Sequence, residues 1–110
     1  RFRAHPASGW GIRARFHSDA AAERDEAADF YESAQVGLGR AFALEVERAV
    51  DRIAVFPESG SPFGVTVRAA TVRNFPFWVV YRILDTELLI LAVAHQRRRP
   101  GYWRRRNAPR

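Results

Sequence analysis

The sequence predicts an α+β domain of order β-α-α-β-β-β, with a helical hairpin packed on a mainly antiparallel twisted sheet. Three observations predict it. Residues 12–17 alternate apolar with polar side chains, the period of a half-buried strand. Phe42, Val46, Ala49, Ile53 and Phe56 recur at intervals of four, three, four and three, a helical stripe. After a loop-like stretch come three runs rich in β-branched and aromatic residues. At 110 residues the chain is one domain's worth, and its eight Phe, three Trp and three Tyr exclude a disordered polymer.

Residues 1–11 contain Pro6, Gly9 and Gly11 without periodicity and are expected to lie outside the fold, leaving residues 12–110 as the single domain. The strand of residues 12–17 leads to Ser18 or Asp19, either of which is suited to cap a helix by accepting from an unpaired backbone N–H. That helix is expected over residues 19–36, with Ala20, Ala27, Tyr31 and Ala34 near one face and carboxylates at its electropositive start. Gly37-Leu38-Gly39 breaks it, a second helix begins near Arg40, and Pro57 ends that one. A short glycine-rich link makes the two an antiparallel hairpin. Residues 57–64, PESGSPFG, read as a loop. Strands are expected over residues 65–72, 77–84 and 87–95, the last two joined by Asp85-Thr86 as a β-hairpin. Residues 88–94 are apolar on both faces, which predicts a central strand covered from both sides. Pro100 and Gly101 then take the tail out of the sheet, towards a short helical turn.

The charge is unevenly placed. Residues 1–58 hold eight Arg against ten carboxylates, whereas residues 59–110 hold ten Arg against Asp85 and Glu87 alone. The C-terminal half therefore presents a positive field suited to an anionic partner. Cysteine is absent, which excludes disulfides and thiolate chemistry and suits a reducing, cytoplasmic setting. The longest apolar run is seven residues, against roughly 20 for a membrane-spanning helix, and residues 1–10 lack the apolar centre of a signal peptide, so no membrane association is expected. His5, His17 and His95 are dispersed, so no metal site is expected. Gly37-Leu38-Gly39 follows a helix rather than a strand and is a connector, not a phosphate loop, so no cofactor is expected either.

The remaining chemistry lies in the tail, where Arg97, Arg98, Arg99, Arg104, Arg105 and Arg106 flank Tyr102 and Trp103. Guanidinium forks bind phosphate or carboxylate, and aromatic rings stack on bases or on guanidinium planes. Arg82, Arg97, Arg99, Tyr102, Trp103 and Arg106 make up the candidate target-binding surface, although an indole such as Trp103 is more often a packing residue. Arg68, Arg73 and Arg82 either pair with the acidic helices or extend this surface. RNA cleavage would need one group to deprotonate the 2′-hydroxyl and another to protonate the leaving oxygen. Arginine does neither, lysine is absent, and the candidates reduce to His95 and Tyr102, with Arg68, Arg73, Arg97 and Arg99 on phosphates. A histidine ending a strand is also an ordinary structural hydrogen-bonding residue.

In order along the chain, Ala20, residues 27–32 (AADFYE), residues 37–42 (GLGRAF), residues 53–57, Arg68, Phe75-Pro76-Phe77, Val80-Tyr81-Arg82 and residues 95–106 resemble toxins of the RelE/ParE superfamily, in its ParE-type "plasmid stabilisation" branch. The resemblance covers residues 12–106. It implies the toxin of a type II toxin–antitoxin system, held in a hetero-oligomer by a cognate antitoxin whose C-terminal segment wraps it. It further implies one of two activities: inhibition of DNA gyrase, as in ParE-like members, or cleavage of messenger RNA on the ribosome, as in RelE-like members. The His-Tyr ending and lysine-rich strands of several RNA-cleaving members are missing here, which favours the gyrase reading. A nontoxic binding module that keeps only the fold is the third alternative. Antitoxin contact is expected on the helical hairpin and the exposed sheet edge.

Overall fold

The most apolar stretch of the chain organises the sheet. The computed structural model describes residues 2–4 and 11–107. In chain order it contains β1 (Phe2–Ala4), β2 (Arg13–His17), α1 (Ser18–Ala34), α2 (Leu38–Val55), β3 (Ser61–Phe63), β4 (Val67–Thr71), β5 (Phe77–Leu84), β6 (Glu87–His95) and a 3₁₀ turn, Arg104–Asn107. The strands form one sheet of order β1-β2-β6-β5-β4-β3. Among the described residues only β2 and β6 run parallel; the other pairings are antiparallel. As predicted, β6 is central and covered on both sides. On one side Phe42, Val46, Val50 and Ile53 of α2 pack against Val79, Tyr81, Leu88 and Ile90. On the other, Val67, Val80, Leu91, Ala92 and Ala94 are roofed by Trp103 of the tail.

The helical hairpin forms where the glycines predict it, with two corrections. The strand runs directly into α1 without a loop, so the cap is His17 itself, whose Nδ1 accepts from the Asp19 N–H at 3.0 Å, and not Ser18 or Asp19. The helix stops at Ala34, which leaves Ala34 and Val36 exposed rather than on the packed face. Gly37 takes φ 89°, and the Glu32 carboxylate accepts from the N–H groups of Gly37 (3.0 Å) and Gly39 (3.1 Å), closing the start of α2. Gly39 is required by proximity: a Cβ there would stand 2.4 Å from the Ala28 carbonyl oxygen of α1. Phe56 falls off the predicted stripe because it lies past the last turn of α2, and it is 67% exposed.

Two strands were not expected. β3 lies within the segment read as loop; it is three residues long, contains Pro62 and occupies the sheet edge, where a missing N–H is tolerated. β1 pairs antiparallel with β2, so Phe2–Ala4 of the supposed extension joins the sheet edge. Residues 5–10, with Pro6 and Gly9, lie outside the described residues. The strand expected from residue 65 starts at Val67, because Gly64 at φ 83° and the exposed Val65 belong to the preceding turn.

Candidate functional site

The tail is positioned by a fault in the sheet. Pairing of β2 with β6 stops at Phe16 and Ile90, because the chain then turns into α1. Beyond that point no strand among the described residues lies beside β6 on this side, and its polar groups find other partners. The Leu91 carbonyl accepts from Arg106 Nη1 at 3.1 Å, and the Val93 N–H donates to Glu23 Oε1 at 3.0 Å. Glu23, from α1, is the hub. Its carboxylate also accepts from the Tyr102 hydroxyl at 2.7 Å, from Arg106 Nη1 and Nη2 at 2.8 and 3.1 Å, and from Arg98 Nη1 at 3.4 Å. The Glu23–Arg106 contact is bidentate and nearly buried, with 13% and 15% of the two side chains exposed, so it is far less screened than a surface pair. The Arg98 guanidinium lies 3.6 Å from the centre of the Tyr102 ring, and that of Arg106 lies 5.2 Å away.

From this clasp the tail crosses the second face of the sheet. Trp103 is 4% exposed and meets the Phe63 ring edge-on at 5.3 Å. Asn107 Oδ1 accepts from Arg82 Nη1 at 3.1 Å, tying the end of the tail to β5. A cavity of about 280 Å³ remains between tail and sheet, lined by Phe63, Trp78, Ala94, His95, Tyr102 and Trp103, and also by Arg98 and Arg99.

This geometry divides the predicted surface residues. Arg97 and Arg99 are exposed, as are Arg104 and Arg105. Trp103 is a core residue, in line with the packing preference of an indole. Arg106 is spent on Glu23 and Leu91, and Arg82 on Asn107. Both are half-buried and hold the tail in place through these bonds. Glu23 is not among the residues expected from the sequence to shape this site. Pairing with the acidic helices is one of the two alternatives stated for Arg68, Arg73 and Arg82; it is Arg98 and Arg106 of the tail that meet Glu23 of α1.

The candidates for RNA cleavage do not assemble. His95 and Tyr102 share the cavity, but Arg68 donates to the carbonyls of Glu58 (3.1 Å) and Gly60 (2.8 Å), holding the loop before β3. Tyr81 secures the same loop: its hydroxyl donates to Pro57 O at 2.6 Å and accepts from Gly60 N–H at 2.9 Å. Arg73 is exposed in the turn between β4 and β5 and borders a different groove, with Arg52 and Phe56. His95 packs edge-on against Phe77 at 5.0 Å, and its Nδ1 accepts from the Arg97 N–H at 3.0 Å, a turn-forming role. Burial, and then the bond to the Glu23 carboxylate and its charge, push the Tyr102 hydroxyl above its ordinary pKa of 10.0. A phenol so held is a poor proton acceptor or donor near neutrality.

The same shift carries a pH dependence. Because the folded-state pKa of Tyr102 is raised, its contribution to stability is fully present below the unfolded value of about 10 and is lost as pH rises further. Urea denaturation from pH 8 to 11 should therefore show stability falling above pH ~10, and Tyr102→Phe should flatten that fall. Equal slopes in the two proteins would refute the assignment. Tyr31 and Tyr81, also raised by burial, account for the residual slope.

Among the described residues no helix is long and apolar enough to cross a membrane, and no group of three His, Asp or Glu residues could hold a metal ion. Comparison with curated proteins gives no match. The fold is similar to a chain of the chromosomal ParDE toxin–antitoxin system from P. aeruginosa, with 26% identity, 73% of this chain and 90% of that chain covered, and a TM-score of 0.52. Residues 14–100 match the model of the ParE toxin of the type II toxin–antitoxin system parDE. This span runs from β2 through the β5–β6 hairpin to the first part of the tail, and on it the chain belongs to the ParE toxin family of type II toxin–antitoxin systems.

Proposed function

We propose that this ParE-type toxin acts in the cytoplasm by inhibiting DNA gyrase, and that a cognate antitoxin neutralises it within a hetero-oligomer. The observation that carries the choice of target is the state of the tail. Its titratable phenol is locked to Glu23, while Arg97, Arg99, Arg104 and Arg105 stand exposed on a backbone held against the sheet. Such a surface serves binding rather than proton transfer. The similar P. aeruginosa chain comes from a toxin–antitoxin system, which supports an antitoxin partner here. Phe30, Val36 and Leu44, exposed by 68%, 90% and 41% on the helical hairpin, support an apolar antitoxin contact on that side.

The test uses purified toxin, gyrase, ATP and relaxed plasmid, with translating ribosomes in parallel. The expected result is loss of supercoiling at stoichiometric toxin with message left intact. Unimpaired supercoiling together with cleavage of ribosome-bound message would replace this reading with the ribonuclease. Neither effect, with no growth arrest on expression, would indicate a nontoxic binding module.

A further inference from the structure

The clasp has a property that a surface ion pair lacks: one carboxylate joins three parts of the molecule that are remote in sequence. Glu23 belongs to α1, Val93 to the open edge of β6, and Tyr102 and Arg106 to the tail. Arg106 in turn bonds the Leu91 carbonyl two residues before Val93. Acid and guanidinium thus stand in for the strand that β2 fails to supply, offering an acceptor to Val93 and a donor to Leu91 as a neighbouring backbone would. The other side of the tail is held mainly by Trp103 and by Asn107 on Arg82. Arg97 and Arg99 lie between β6 and the clasped Tyr102, Arg104 lies between Trp103 and Arg106, and Arg99, Tyr102 and Trp103 also line the 280 Å³ cavity.

We infer that Glu23 is a positioning residue for the toxin's target-facing tail, fixing residues 96–107 across the sheet so that Arg97, Arg99 and Arg104 are presented in one geometry. This rests on the reading of the tail as the gyrase contact. Glu23 itself touches no target; it acts through Tyr102 and Arg106. Without its carboxylate the Val93 N–H loses its partner, Arg106 keeps the Leu91 carbonyl, Asp19 at 3.7 Å and the Tyr102 ring, and the tail is left to Trp103 and the Asn107–Arg82 bond, which do not order its Arg106 side. The packing of α2 on the sheet does not involve Glu23, Tyr102 or Arg106, because it forms a separate core from the one under Trp103.

The experiment compares full-length wild type, Glu23→Ala and Glu23→Gln by residue-resolved hydrogen exchange and by inhibition of gyrase supercoiling per folded molecule. In Glu23→Ala the amides of Val93, Arg104 and Arg106 should lose protection while those of α2 and β5 keep theirs. Potency should fall about tenfold or more, the loss expected when several charge-assisted bonds that order a binding surface are removed. Glu23→Gln, which keeps one acceptor oxygen but turns a donor towards Tyr102 and Arg106, should lie between. Retained tail protection in Glu23→Ala would overturn the positioning role. Lost protection with unchanged potency would overturn its link to function, because a merely structural carboxylate alters stability and not potency per folded molecule. If Glu23→Ala fails to fold, Glu23→Gln decides by the same two measurements. Absence of gyrase inhibition by the wild type would instead overturn the proposed target, and hydrogen exchange would then judge the clasp alone.

Discussion

Phe42→Ala is expected to destabilise the protein by about 3–5 kcal/mol, the usual cost of emptying a buried phenylalanine site. Phe42 is fully buried at the point where α2 meets the sheet. Its ring lies 5.3 Å from Tyr31 of α1, 5.1 Å from Phe75 in the β4–β5 turn and 4.9 Å from Phe77 of β5. The substitution therefore leaves a cavity bordered by three elements and removes edge-on ring contacts along with area burial. Relaxation is restricted from the α1 side, since at Gly39 the helices already lie too close for even a Cβ. A domain of this size holds roughly 5–15 kcal/mol in all, so the variant keeps little reserve. Urea denaturation measures the loss, with Leu44→Ala, at a partly exposed position of the same helix, as a control expected to stay within about 0.5 kcal/mol. A Phe42→Ala loss below about 1 kcal/mol would contradict this picture of the core.

The elements that depend on local pattern were legible in the sequence. The runs at residues 77–84 and 87–95 became β5 and β6 without adjustment, because a two-residue turn between β-rich segments pairs them as a hairpin, with one register shift between Val80 and Tyr81. Asp85 supplies the φ of 53° that this turn needs. The stripe of α2 predicted Phe42, Val46, Ala49 and Ile53 as buried, and they are. What escaped notice depends on partners distant in sequence. Ser61-Pro62-Phe63 has the composition of a loop and becomes a strand only because β4 lies beside it. His17 as helix cap follows from the abrupt passage of β2 into α1. Glu23 was one of ten carboxylates in the first half of the chain, and nothing in its neighbours marks it. Its role arises because β2 ends before β6 does, a mismatch set by pairing register and not by any local signal. The tail's arginines were visible as a group, but their division into clasped and exposed members required the path of the chain over Trp103.

That division makes the largest functional prediction. Arg97, Arg99 and Arg104 are exposed, so changing all three to alanine should leave stability within about 0.5 kcal/mol of wild type. If each contributes about 1 kcal/mol of charge-assisted contact to an anionic target, the triple variant loses about 100-fold in potency. His95→Asn is the counterpart: the amide oxygen can still accept from the Arg97 N–H, but the side chain no longer transfers protons. The measurement is the toxin concentration that half-inhibits gyrase supercoiling, determined for wild type and these two variants at one salt concentration. A held contact surface predicts that His95→Asn matches wild type while the triple arginine variant is close to inert. Loss of potency in His95→Asn with full potency in the arginine variant would contradict it, and would return the tail to the role of a catalytic site.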